Sequence, residues 1–173
     1  MCIRDRHEAY PGHYVQGLWM RLAPSKTRKL LYSGSNSEGW AHYCEEMMVD
    51  EGTPDPKLKL VQLHDALLRA ARYMVGIRMH TQGMTMDQAR EFFVTEGFQE
   101  QANADRETKR GTMDPTYLVY TLGKLQILAL RDDYKKAKGA QYSLKDFHDN
   151  FLGQGCPPVE IVRAALLSKS PKP

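Results

Sequence analysis

Three cysteines, Cys2, Cys44 and Cys156, stand far apart and odd in number. They fit neither a disulfide framework nor a paired-cysteine zinc site. No apolar run approaches the roughly 18 residues that a membrane span requires. No alternation of apolar and polar residues is long enough to read as a convincing strand. Charge of one sign is not concentrated either. The net charge is +3, from 24 Lys and Arg against 21 Asp and Glu, and the basic residues are scattered. A nucleic-acid binder more often gathers them in a stripe, so nucleic acid is not an expected partner. The opening MCIRDR lacks the apolar stretch of about 7–15 residues that makes a secretory signal. What is present is ordinary globular material. The chain has 173 residues, 42% hydrophobic and 26% charged, about one domain's worth with enough apolar surface for a core.

Helical period dominates. Tyr14, Val15, Leu18, Trp19 and Leu22 recur at helical spacing until Pro24 stops the run. Residues 33–36 read as a loop, and Ser35 with Glu38 reads as a capping box opening a helix to about Val49. A long helix is predicted over 57–80, one opened by Thr85 and Gln88, a polar helical stretch over 99–110, and a further helix over 116–138. Ser143 and Asp146 start another, and Pro157-Pro158 precede a last one over 161–167. The expectation is an all-α bundle of six to eight helices, with Leu63, Leu67, Ala70, Met74, Phe92, Phe93, Leu125 and Leu128 as its core.

The chemistry concentrates in two places. His7-Glu8-Ala9-Tyr10-Pro11-Gly12-His13 is close to H-E-x-x-H, in which two histidines bind zinc and the glutamate is the general base. Here the histidines are six residues apart, about 240° round an ideal helix, so a regular helix would point them away from each other. Pro11 cannot donate a hydrogen bond and Gly12 tolerates unusual dihedrals, so a break between them can bring the imidazoles together. On spacing alone, a Pro-Gly helix boundary flanked by two unrelated histidines explains the run as well. A catalytic zinc usually takes three protein ligands, and His₂Glu is one standard set. Glu38, His42 and Glu45 share one helix face in SEGWAHYCEE, which supplies carboxylates for the third position.

HEAYPGH, SEGWAHYCEE, HTQGMTMDQA, PTYLVYTLGK and FHDNFLGQG resemble, in that order, the C-terminal part of a bacterial family, domain of unknown function 885. That family looks like an α-helical, gluzincin-type zinc peptidase, in the style of the thimet-oligopeptidase and Taq-carboxypeptidase groups. The resemblance implies that His7, His13 and Glu38 hold a zinc ion and that Glu8 is the general base acting on a metal-activated water. Glu45 is the alternative third ligand, or else a carboxylate that orients a histidine. Tyr117, Tyr120 and His80 are the implied candidate donors to the oxyanion; the alternative is amphipathic core packing for each tyrosine, more so for Tyr117, and a place at a helix C-terminus for His80. Arg106, Arg110 and Arg131 are weaker candidates for holding a substrate carboxylate.

Family members are several times longer. The expectation is therefore a fragment: residues 1–6 a non-native leader, 7–173 the C-terminal helical catalytic region, and an N-terminal half of the same chain missing as a partner. The implied substrate is a small peptide, and the isolated chain is expected to turn over poorly. Compartment is not legible. The other reading is a helical binding or structural module without metal, its histidines and glutamates serving as caps and surface groups. Metal content separates the two.

Overall fold

The computed structural model describes residues 2–52 and 55–168. Among them are ten α-helices: α1 Ile3–Glu8, α2 His13–Met20, α3 Lys26–Leu30, α4 Gly34–Asp50, α5 Pro56–Thr81, α6 Met86–Thr95, α7 Gln101–Met113, α8 Val119–Lys138, α9 Leu144–Leu152 and α10 Val159–Leu167. A 3₁₀ turn, Gly139–Gln141, follows α8. The described residues contain no sheet; a single parallel bridge joins Tyr32 and Cys156. The fold is all-α, with no helix long and apolar enough to cross a membrane. The count exceeds the predicted six to eight because the opening run is split into α1 and α2, and because the short α3, capped by Ser25, carries too little apolar pattern to be read.

Local chemistry explains most boundaries. Asp55 accepts from the backbone N–H groups of Lys57 and Leu58 with Pro56 at the first position of α5, where the missing proline N–H costs nothing. Thr85 and Gln88 form a reciprocal capping box on α6, and Ser143 accepts from the N–H of Asp146 on α9. The predicted box at Ser35 and Glu38 does not form. Helix α4 already begins at Gly34, the Ser35 hydroxyl pairs with Ser33, and the Glu38 carboxylate faces two imidazoles instead.

The chain divides into two compact units, residues 1–45 with 123–173 and residues 46–122; α4 and α8 each run from one into the other. The first unit is built on Trp40, Tyr43, Ile127, Leu130, Phe147 and Phe151, all buried, with the Trp40 and Phe151 rings stacked 5.4 Å apart. Ile3, within the predicted leader, is also buried there.

The second unit packs Ala71, Val75, Ala89, Phe93, Ala104 and Tyr117 together. This corrects the predicted core. Of the eight residues named, only Phe93 is buried; Ala70, Phe92 and Leu128 are partly buried, and Leu63, Leu67, Met74 and Leu125 are exposed. The reason is close approach. Tyr117 lies so near α5 that a Cβ on Gly76 would stand 2.9 Å from its own Cβ. The buried line of α5 is therefore marked by Ala71, Val75 and Gly76 rather than by leucines.

Candidate metal centre

The site lies in the first unit and begins with a broken helix. Helix α1 ends at Glu8, residues 9–12 turn the chain through a cis Tyr10–Pro11 peptide bond, and α2 starts at His13. Gly12 permits the turn. A Cβ there would sit 1.8 Å from the carbonyl oxygen of His7 and 2.6 Å from that of Arg6, distances no side chain tolerates. The indole Nε1 of Trp40 donates to the Pro11 carbonyl at 3.0 Å and ties the turn to α4.

The break does what a continuous helix could not. The His7 and His13 rings meet edge to face, centroids 4.8 Å apart at 89°. The Glu38 Oε2 atom stands 3.3 Å from His7 Nε2 and 3.4 Å from His13 Nε2. One donor atom from each of the three residues falls within 4.8 Å of the others. Burial alone would raise the Glu38 pKa, but the imidazoles of His13 and His7 outweigh it and hold the carboxyl down at about 2. It is an anion at neutral pH.

A buried line of groups backs the first histidine. His7 Nδ1 lies 2.7 Å from Glu45 Oε1, and the other oxygen of Glu45 lies 3.1 Å from His42 Nδ1. Glu45 and His42 are both buried. The other histidine has lighter support, its Nδ1 3.3 Å from the Ser37 hydroxyl. Of the two candidate carboxylates, Glu38 therefore faces both Nε2 atoms, whereas Glu45 faces the far nitrogen of His7. Glu8, the last residue of α1, is exposed.

The three donor atoms are close enough together to be able to hold one ion. An N–H to a carboxylate settles at about 2.7–2.9 Å, as His7 does with Glu45. Two nitrogens and an oxygen bound about 2.0–2.1 Å from a tetrahedral zinc stand roughly 3.3 Å apart, close to both Glu38 contacts. The donor set, two neutral imidazoles and one carboxylate, is one that zinc accepts.

The remaining candidates belong to the second unit, where their polar atoms have local partners. Tyr117 is buried and its hydroxyl donates to both the carbonyl and the carboxylate of Glu107, each at 2.7 Å. Arg72 donates twice to the same carboxylate, again at 2.7 Å. The Tyr120 hydroxyl accepts from Arg110 at 3.2 Å, and His80 Nε2 donates to the Gly111 carbonyl at 2.9 Å. Arg106 donates to the Asn103 side chain on α7. In the first unit, Arg131 donates to the Tyr43 hydroxyl. Sequence reasoning missed Trp40 and the pairing of His42 with Glu45. The i, i+3 spacing of His42 and Glu45 was visible, but nothing local says that both face inward.

The model of a bacterial protein family of unknown function, DUF885, matches residues 6–166. Among the solved structures that share the fold are two bacterial proteins. One, from Shewanella oneidensis and described as a lipoprotein of unknown function, is 34% identical with a TM-score of 0.90, over 96% of this chain and 31% of that one. The other, from Colwellia psychrerythraea and also described as a lipoprotein, is 28% identical with a TM-score of 0.86, over 95% of this chain and 29% of that one. The chain thus spans about a third of the length of either relative. No curated protein matches it.

Proposed function

We propose that this chain, which belongs to the bacterial family of unknown function DUF885, carries the metal site of a zinc-dependent peptidase acting on small peptides. His7, His13 and Glu38 would hold the ion. The observation that carries this reading is the placement of Glu38 Oε2 at 3.3 and 3.4 Å from the two Nε2 atoms, which brings one donor atom of each residue close enough to share an ion. Bound zinc would supply Lewis acidity toward a carbonyl and bring the pKa of a water toward about 7.

The chain's own residues do the rest. His7 and His13 would each offer a ring nitrogen, and Glu38 would contribute a negative charge. Glu8 neighbours His7 in sequence and is exposed at the end of α1; its carboxylate takes the proton from the attacking water and returns it to the leaving amine.

The test is metal content. Purified protein dialysed against zinc should retain about one ion per chain by elemental analysis, and His13→Ala should retain none. Wild-type protein without zinc, or His13→Ala with the wild-type amount, would overturn the reading in favour of a non-catalytic helical module.

A further inference from the structure

We propose that an apolar stripe on the exposed face of α5 seats an amphipathic helix with acidic edges, supplied by the further chain that the longer DUF885 proteins carry. Leu60, Leu63, Leu67, Ala70, Met74 and Ile77 follow one another at alternating steps of three and four residues, the seven-residue repeat of a helix that lays its seam against another helix. Four of them are open to solvent in this chain, Leu60 at 69%, Leu63 at 51%, Leu67 at 36% and Met74 at 38%; Ala70 and Ile77 are partly buried. The other face of the helix is already in use, with Ala71, Val75 and Gly76 buried in the second unit. A helix that is apolar all round is one that is covered all round. Leu63, Leu67, Ala70 and Met74 read as core in the sequence for that reason, yet no described residue covers Leu63, Leu67 or Met74.

Length and charge identify the occupant. The stripe runs over residues 60–77, about 26 Å of helix axis, whereas apolar residues on an ordinary surface stand singly. Each of the two solved relatives has roughly two thirds of its chain outside the part that this one matches, while the matched part keeps the fold at TM-scores of 0.90 and 0.86. A protein of that length has the material to cover the face. The edges of the stripe carry Lys57, His64 and Arg78 on one side and Lys59 and His80 on the other, with no Asp or Glu in equivalent positions. Lys59 is 2.7 Å from Asp50 and Arg78 lies over the Phe92 ring; Lys57 is exposed. Two copies of α5 pairing along the stripe would set basic edges against basic edges. A helix with Asp or Glu beside its own apolar seam would attract them instead. The occupant is therefore a helix of other sequence rather than a second α5. No residue of the stripe or its edges belongs to the candidate metal centre, so the inference stands apart from the metal reading.

Carbene footprinting of the wild-type protein tests this without any substitution. Leu60, Leu63, Leu67 and Met74 should be labelled heavily in the 173-residue chain and at least about 10-fold less in the full-length protein. Equal labelling in the two overturns the proposal. Protection already present in the 173-residue chain, together with a dimer in sedimentation, overturns it in favour of self-association. A zero-length carbodiimide should join Lys57 to an Asp or Glu outside these 173 residues; cross-links confined to them overturn the choice of occupant. Leu63→Asp should leave the urea midpoint of the 173-residue chain unchanged, because the side chain is exposed there, and lower that of the full-length protein. A midpoint unchanged in both overturns the proposal. A variant that folds as the 173-residue chain and fails when full-length supports it; failure in both would place Leu63 in this chain's own core and overturn it.

Discussion

Gly39 and Gly123 bring the backbones of α4 and α8 into direct contact: a Cβ on Gly39 would stand 2.5 Å from the Cα of Gly123, and one on Gly123 would stand 1.8 Å from the carbonyl oxygen of Ser35. Glu38 is the neighbour of one of these glycines, so the crossing that seats α4 also seats the carboxylate of the candidate site. Backbone atoms are the obstacle, and no rotamer change relieves them. Gly123→Ala should therefore destabilise the protein by about 1–3 kcal/mol or more, read as a lower urea midpoint at unchanged slope. An unchanged midpoint would mean that the helices are not packed this closely.

Gly12 has the same character nearer the chemistry. Gly12→Ala places a methyl group on the His7 carbonyl, and the turn must open to admit it. Zinc affinity should fall by at least about 10-fold, the range seen when the support of a ligand is lost, while helix content measured by circular dichroism is retained. Wild-type affinity in a folded Gly12→Ala protein would contradict the convergence of His7 and His13.

The two glutamates of the site should separate under amide substitution. In the full-length protein, Glu8→Gln should keep its zinc and lower peptide hydrolysis relative to wild type by about 10²–10⁴-fold, because the amide cannot take a proton. Glu38→Gln should weaken zinc retention itself and partly recover in excess zinc. Elemental analysis with a peptide-hydrolysis assay reads both. Loss of zinc in the first variant and not the second would reverse the roles.

Tyr117 is tied to the stability of its unit. Its hydroxyl donates to the Glu107 carboxylate that Arg72 also grips, and burial together with that bond pushes its pKa upward. Tyr117→Phe removes a donor from a buried charged group and should cost about 1–3 kcal/mol by chemical denaturation. A change below about 0.5 kcal/mol, the range typical of surface substitutions, would show that Arg72 alone satisfies Glu107.

His148 should make the protein acid-sensitive above the carboxylate range. Burial, joined by the nearby Arg131 and only partly opposed by Asp149, lowers its pKa to about 4; Tyr43 shares a 2.9 Å hydrogen bond with its Nε2. The folded pKa lies below the ordinary value of 6.5, so the unfolded chain binds the proton more readily. Stability is full above about pH 6.5 and declines as the pH falls toward 4, by roughly 2–3 kcal/mol in all. Denaturation midpoints across that window should slope in wild-type protein and flatten in His148→Gln. Equal slopes would remove His148 as the cause.

Most helices, several of their caps and the residue types of the candidate site were legible in the sequence, because period, capping chemistry and turn residues act over a few positions. Thr85 with Gln88 and Ser143 with Asp146 specify their helix starts wherever those segments lie. The signature HEAYPGH likewise names its donors. What one dimension could not decide was direction. Whether two histidines six residues apart face each other depends on the turn at Pro11 and Gly12, which the Trp40 hydrogen bond to Pro11 ties to α4 and which has room only for glycine at position 12. Ser35 and Glu38 match a capping box as well as a ligand, and only the arrival of His7 and His13 settles where the carboxylate turns. The core was misread for a related reason: leucines on α5 announce apolar character, but Tyr117 packs where only small residues leave room, and that proximity exists only once the chain has folded.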